Sequence, residues 1–331
     1  MTFNIQLGKK YTITVKYLGI TINEGRSCFN DHKKLKIKKA KELACMIMSV
    51  IARSSNKLLI GKTYWKSVVL PDVLYGAEII PFTKSELNDI QRAENIAFRQ
   101  ILGAPRYAPV CTLRGEIGSS DMESRDQITK LKYLKHLLNS ENDLLKEIAQ
   151  LDISKKTTKF SRITQNYMEQ LGINKEQLKV QTDQQTKDAV TCKDTERWTA
   201  ERNSKSSLEI YNKYKINVKE EDGLYDNSEE SVLLFRARTN TLPLFWRNRF
   251  KQNATEEDQL CPLCKMNVET LQHFLLRCTK LMHIRIRYNF WDDGDHNKTL
   301  ETMLCFSGKT QGKSLIKELW STRKRSIEDT A

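Results

Sequence analysis

Long apolar runs are missing from this 331-residue chain: the longest, Leu43 to Ala52, is about half the ~20 residues a membrane-spanning helix needs. A membrane partner is therefore not expected. The opening stretch, Met1-Thr-Phe-Asn-Ile-Gln-Leu-Gly8, has neither the basic start nor the apolar centre of a secretory signal. A disulfide framework is also lacking. Of eight cysteines, Cys28, Cys45, Cys111, Cys192 and Cys305 stand singly, and five leftovers cannot all pair. These absences predict a soluble intracellular protein of a reducing compartment, nucleus or cytoplasm. Acidic residues are in deficit: 41 Asp and Glu face 55 Lys and Arg, a net charge of +14. An excess of that sign predicts a polyanionic partner, RNA or DNA before a membrane, and speaks to association rather than fold. A hydrophobic fraction of 39% supports an adequate core but not a rich one.

Signatures of small-molecule chemistry are sparse as well. Gly308-Lys-Thr310 and Gly312-Lys-Ser314 lack the earlier glycine of a phosphate-binding loop. His32, His136, His283 and His296 form no ligand or triad pattern. No small-molecule substrate is expected, and no catalytic residue is assigned.

What is present is a change of period along the chain. Residues 3–22 read as strands, because Phe3, Ile5 and Leu7 alternate, Gly8-Lys9-Lys10 turns, and Tyr11, Ile13 and Val15 alternate again. From Asp31 the spacing turns helical, with Leu35, Ile37, Leu43, Met46, Ile47, Val50 and Ile51 as one apolar stripe. A helix over Thr63 to Ile80 meets a break or kink at Pro71. Thr83-Lys-Ser-Glu86 is a capping box that opens a helix ending at Gly103-Ala-Pro105. Ser124 to Leu151 reads as one further helix, residues 152–206 as a polar helical or loose linker, and apolar content returns from Leu208. The predicted fold class is mainly α with a small N-terminal β-hairpin or sheet: a helical bundle plus a small zinc-knuckle domain. The expected divisions are 1–30, 31–151, 152–206 and 207–331.

The most specific pattern is Cys261-Pro-Leu-Cys264, His273 and Cys278, spaced C-x2-C-x8-H-x4-C. Zinc takes four tetrahedral sulfur or nitrogen ligands, and a closed set of four protein ligands is structural rather than catalytic. Pro262 stiffens the tight turn between the first two thiols. Leu271, Phe274 and Leu275 place His273 inside a helix and Cys278 at its frayed end. Structural Zn2+ is the expected cofactor.

Two basic regions accompany it. Lys33, Lys34, Lys36, Lys38, Lys39 and Lys41 are six lysines in nine residues, and residues 1–60 hold 12 basic against 3 acidic side chains. Lys33, Lys34, Lys38 and Lys41 are taken as phosphate contacts. Before the knuckle, Arg236, Arg238, Arg247 and Arg249 interleave with Phe235, Phe245, Trp246 and Phe250. The arginines suit phosphates, and the aromatics suit either base stacking or the core behind the metal.

Taken in order, a set of elements carries a resemblance. These are Lys16-Tyr-Leu-Gly-Ile20, Lys38-Lys39-Ala40, Val73-Leu-Tyr-Gly-Ala-Glu78, Ile90-Gln-Arg92, Arg99-Gln-Ile-Leu-Gly103, Leu113-Arg-Gly-Glu-Ile-Gly118, Ser124-Arg125, Arg236-Ala-Arg-Thr-Asn-Thr-Leu242 and the knuckle. Together they resemble the C-terminal part of a non-LTR retrotransposon reverse transcriptase: the palm end over 1–30, the thumb over 31–151, a linker and the zinc knuckle. The likeness covers most of residues 1–290. In that family the Leu-Gly-centred hairpin supports the primer end, which implies that role for Leu18, Gly19 and Ile20. The family's paired catalytic aspartates precede that hairpin, so the chain is expected to bind nucleic acid without polymerase activity of its own. Phe290-Trp-Asp-Asp293 imitates the pattern but reads as an acidic turn. A zinc-stapled protein-interaction module, or a degenerate reading frame, is the alternative.

Overall fold

The computed structural model describes residues 14–329 except Arg26, Ser55, Asp222, Asn227, 291–299, 301–302 and 305–308. The strands expected over residues 3–13, and the Asp292-Asp293 pair, lie outside the described residues. The fold is mainly α-helical with a two-stranded antiparallel hairpin. Strand β1 (Thr14–Tyr17) pairs with β2 (Ile20–Asn23) in the register Thr14↔Asn23 and Tyr17↔Ile20. Leu18 and Gly19 are left as a two-residue turn with φ of 45° and 80°. Two positive φ values define the type I′ geometry whose twist matches paired strands. Glycine accepts that backbone without strain, whereas a leucine there does not. The Tyr75 hydroxyl braces the turn by donating to the Leu18 carbonyl at 2.8 Å.

Helices follow in close succession: α1 (Asn30–Ile51), α2 (Lys57–Tyr64), α3 (Leu70–Val73), α4 (Lys84–Leu102), α5 (Val110–Ile117) and α6 (Met122–Leu138). Then come α7 (Asp143–Lys155), α8 (Lys159–Leu171), α9 (Lys175–Val180), α10 (Asp183–Asn203), α11 (Glu209–Tyr214), α12 (Glu229–Arg238), α13 (Met282–Arg287) and α14 (Lys309–Glu328). Pro71 acts through the turn before it. Lacking an N–H, it cannot close an α-helical bond, and residues Trp65–Val69 widen into a π turn, Leu70 N–H donating to the Trp65 carbonyl. The capping box forms: Thr83 N–H donates to Glu86 at 2.7 Å and Glu86 N–H to the Thr83 hydroxyl at 3.3 Å.

Several expectations are corrected. The buried face of α1 is His32, Lys33, Lys36, Ala40, Ala44, Ile47 and Ile51, while Leu35, Met46 and Val50 are exposed. Close packing selects the small alanines, and carboxylate partners allow the lysines inside. The helix expected over 124–151 is two, α6 and α7. Asn142 restarts it by accepting from the Leu144 and Leu145 N–H groups. On α7, Leu144, Leu145, Ile148 and Leu151 stand exposed. In the stretch 152–206, α8, α9 and α10 form.

The chain divides into two compact units, each drawn from separated stretches: 1–52, 60–97 and 119–197, and 53–59, 98–118 and 198–331. In the first, α6 to α10 bury Leu131, Leu134, Leu138, Ile153, Tyr167, Met168, Leu178 and Val190 as one cluster. Several polar groups buried in this unit are paired. Trp65 Nε1 donates to Glu94 at 2.9 Å, and Lys130 Nζ donates to the Ala77 carbonyl at 2.7 Å and is ion-paired with Asp126. The second unit packs Cys111, Trp198, Leu208 and Tyr211 together, with Trp198 Nε1 donating to the Cys111 carbonyl at 2.7 Å. Gly115 admits that cluster: a Cβ there would sit 2.5 Å from the Tyr211 hydroxyl. The cysteine knuckle lies within this second unit. No helix among the described residues is long and apolar enough to cross a membrane.

Candidate metal centre

The first two thiols sit on a short hairpin. Leu260 and Val268 form an antiparallel bridge, Cys261 N–H donates to the Asn267 carbonyl at 2.8 Å, and Lys265 N–H donates back to the Cys261 carbonyl at 2.8 Å. The chain reverses at Lys265, whose φ is 54°. The second pair comes from the helical segment after Thr270, whose hydroxyl accepts the His273 N–H at 3.1 Å.

The four-residue gap between His273 and Cys278 dictates the shape of that segment. In an α-helix, at about 100° per residue, positions five apart lie roughly 140° from each other around the axis. Residues His273–Arg277 instead form a π turn, closed by Cys278 N–H donating to the His273 carbonyl at 2.8 Å. The wider turn stacks residue 278 over residue 273, and both side chains reach the same point. π turns are frequent at functional sites.

The ligand atoms of Cys261, Cys264, His273 and Cys278 all lie within 4.8 Å of one another. Cys261 Sγ is 3.8 Å from Cys278 Sγ, and Cys264 Sγ is 3.4 Å from His273 Nε2. A tetrahedral ion with sulfur at ~2.3 Å and nitrogen at ~2.0–2.1 Å requires edges of about 3.8 and 3.6 Å. Those two edges fit a four-coordinate site, the set of four could hold a metal ion, and His273 points inward as its spacing required. The two buried thiols are in contact. Hydrogen bonding to Cys278 and burial push Cys261 up to about 12, and the same bond holds Cys278 below the usual thiol range.

Support behind the ligands comes from residues that sequence reasoning missed. The buried Glu269 carboxylate accepts from the Phe245 N–H at 2.7 Å and from Arg323 Nε and Nη2 at 2.6 and 2.7 Å. Phe274, inside the π turn, meets Trp320 of α14 edge-on at 6.0 Å. Arg285 Nη2 donates to the Cys278 carbonyl at 2.5 Å. Glu269 lay within the knuckle motif, but Arg323 is 54 residues further on and carried no local signal. Cys111 is separate from this cluster, and burial pushes its thiol up to about 11.

The basic residues sort by burial. Lys33 is 5% exposed, and its ammonium donates to Glu86 at 3.0 Å and the Pro81 carbonyl at 3.1 Å, so it is not a phosphate contact. Lys36 is also buried and pairs with Asp72 at 3.1 Å, and Lys39 reaches the same carboxylate at 2.5 Å. Lys34, Lys38 and Lys41 remain exposed on α1. Arg238 is a second correction. Its buried guanidinium contacts Glu116 at 3.2 Å, Glu221 at 3.1 Å and the Leu304 carbonyl. Arg236 is half-buried and donates through Nε and Nη2 to the Gly103 carbonyl at 3.2 and 2.9 Å. Arg247 is likewise half-buried, 4.0 Å over the Tyr107 ring, with Nη1 donating to the Asn240 carbonyl at 3.0 Å. Arg249 is exposed and lies over the Trp246 and Phe250 rings at 4.6 and 4.7 Å. Of the aromatics, Phe235 is core, Phe245 and Trp246 are half-buried, and Phe250 is 69% exposed. At the hairpin tip Leu18 is 71% exposed, Gly19 is exposed and Ile20 is half-buried.

No family model, no curated protein and no solved structure matches the chain.

Proposed function

We propose that this chain binds RNA or DNA through the sugar-phosphate backbone, as the C-terminal part of a non-LTR-type reverse transcriptase, with a structural zinc in its knuckle. The observation that supports it most is the division of the α1 lysines. Three are consumed by Glu86 and Asp72, while Lys34, Lys38 and Lys41 share one exposed face at spacings of four and three residues. Cys261, Cys264, His273 and Cys278 would hold the zinc, and with four protein ligands it has no open position for chemistry. Its part is to tie the hairpin to the helical segment, which keeps Arg249 and its neighbouring aromatics on a fixed support. Binding of this kind is electrostatic, with little preference among sequences.

The test is retention of labelled single- and double-stranded oligonucleotides across a salt series. Steep loss of affinity with salt, equal for unrelated sequences, supports the reading. Indifference to salt, or no retention, favours the zinc-stapled interaction module instead.

A further inference from the structure

We infer that a cavity in the first unit is a binding site for a nucleotide, taken either free or as an unstacked base of a single strand. The cavity has a volume of about 770 Å³, within the range of roughly 300–1,000 Å³ that ligand sites occupy. Its walls come from the start of α1, the α6 face and the α7–α8 junction. These are residues distant in sequence, and no motif announced them.

The lining has the two properties that this ligand class requires. Phe29, Tyr133 and Phe160 present half-buried rings, with Tyr133 and Phe160 edge-to-face at 6.0 Å. Such rings stack with any base, because every base has a π-face. The charge selects an anion. Lys33 is balanced by Glu86, and Asp152 accepts from the Thr158 N–H and hydroxyl at 3.0 and 2.7 Å and from the Ser161 hydroxyl at 3.1 Å. Against that carboxylate stand Lys159 and Arg162, both on the exposed side of the cavity, leaving one positive charge in excess. Arg162 is pre-oriented, its Nε donating to the Thr158 carbonyl at 3.2 Å. An aromatic slot with a cationic mouth fits a ring joined to a phosphate.

Cys28 lines the same cavity and makes occupancy measurable. Its alkylation rate would be followed by peptide mass spectrometry, with exposed Cys45 on α1 and exposed Cys192 on α10 as internal references. Adenosine 5′-monophosphate is expected to slow Cys28 saturably and leave Cys45 and Cys192 unchanged, while inorganic phosphate or adenosine alone needs at least about tenfold more. A single-stranded decamer separates the two sources. If the strand is the source, Cys28 is protected at lower concentration than with the mononucleotide. If a free nucleotide is, the decamer protects no better. Protection of Cys45 by the decamer reports the α1 surface separately, so failure of the cavity and failure of the proposed function give different patterns. Phe160→Leu and Arg162→Ala, each checked for an unchanged thermal midpoint, should raise the half-protecting concentration by roughly fivefold or more. Cys28 rates unaffected by either ligand, or protection unchanged in both folded variants, would overturn the inference.

Discussion

Replacing Lys34, Lys38 and Lys41 together by glutamine should flatten the salt dependence of nucleic-acid binding while leaving the fold intact. The three are exposed, and among the described residues only Lys38 of the three has an acidic neighbour, Glu42 at 3.7 Å, in a solvent-exposed pair of little energetic consequence. At about 1.5 Å rise per residue they span roughly 10 Å of helix, so adjacent phosphates of one strand can engage all three. Each phosphate neutralised contributes about −0.9 to the log–log salt slope on duplex and about −0.7 on a single strand. Three contacts are then worth a slope of about −2.7 or −2.1. Between 50 and 200 mM salt that corresponds to roughly 40-fold or 20-fold of affinity that the parent loses and the variant does not. Fluorescence anisotropy with unrelated oligonucleotides measures it directly. If the triple variant keeps the parent's slope within half a unit, α1 is not the binding face.

Other outcomes follow from the same structure. Purified protein should carry about one zinc per chain, and Cys264→Ser or His273→Asn should lose it. Hydrogen exchange should then rise across 259–278 while the Leu131–Leu138 amides stay protected, since structural zinc is worth roughly 10–16 kcal/mol apparent in finger peptides. Arg238→Met should destabilise the second unit by about 3–5 kcal/mol in urea at pH 7, because Glu116 loses its buried counter-ion. Burial acts to raise the Glu116 carboxyl, but the Arg238 charge and hydrogen bond, the Lys215 charge and the Tyr225 hydroxyl together hold it below the usual range. The parent thus gains stability above about pH 4.3 that is lost as pH falls through the lowered folded value. In the variant the Lys215 charge and the Tyr225 hydroxyl still favour the carboxylate, but burial is opposed by less and the folded value rises. The deficit should therefore shrink toward pH 4, and a deficit constant from pH 4 to 7 would contradict it. Gly115→Ala should cost about 1–3 kcal/mol, read as a lower thermal midpoint, since its Cβ would fall 2.5 Å from the Tyr211 hydroxyl.

The metal cluster was legible because its chemistry is local: four soft ligands within eighteen residues, whose spacing nearly dictates the geometry. The Thr83–Glu86 cap and the effect of Pro71 were legible for the same reason, each resting on bonds a few residues long. Burial of charge was not. Lys33 and Lys34 are adjacent and chemically identical, yet Glu86 lies 53 residues from Lys33 and decides which of them is inside. Arg238 reads as one of a run of cations, and Glu116, which neutralises it, is 122 residues away. Large apolar residues were assigned to the α1 core, but the neighbours left room for Ala40 and Ala44 and pushed Leu35 and Met46 outward. The break at Asn142 was readable in principle, since asparagine is a strong N-cap, but the uninterrupted leucine spacing masked it.

Arg238 also sets the order in which the chain can mature. Its partner Glu116, together with Gly103 and Tyr107, which bond Arg236 and Thr241, belongs to a stretch synthesised well before α12. Between them come residues 119–197, which belong to the other unit. At roughly 5–20 residues per second, the segment 98–118 waits on the order of 7–27 s for the helix that completes it. Contacts so far apart in sequence form slowly and leave apolar surface open meanwhile. A fragment starting at residue 207 would keep all four metal ligands yet bury Arg238 without Glu116. Gathering the Cys3His cluster and finishing the core are therefore separate achievements for this half of the chain, and the second depends on residues made long before the first cysteine of that cluster.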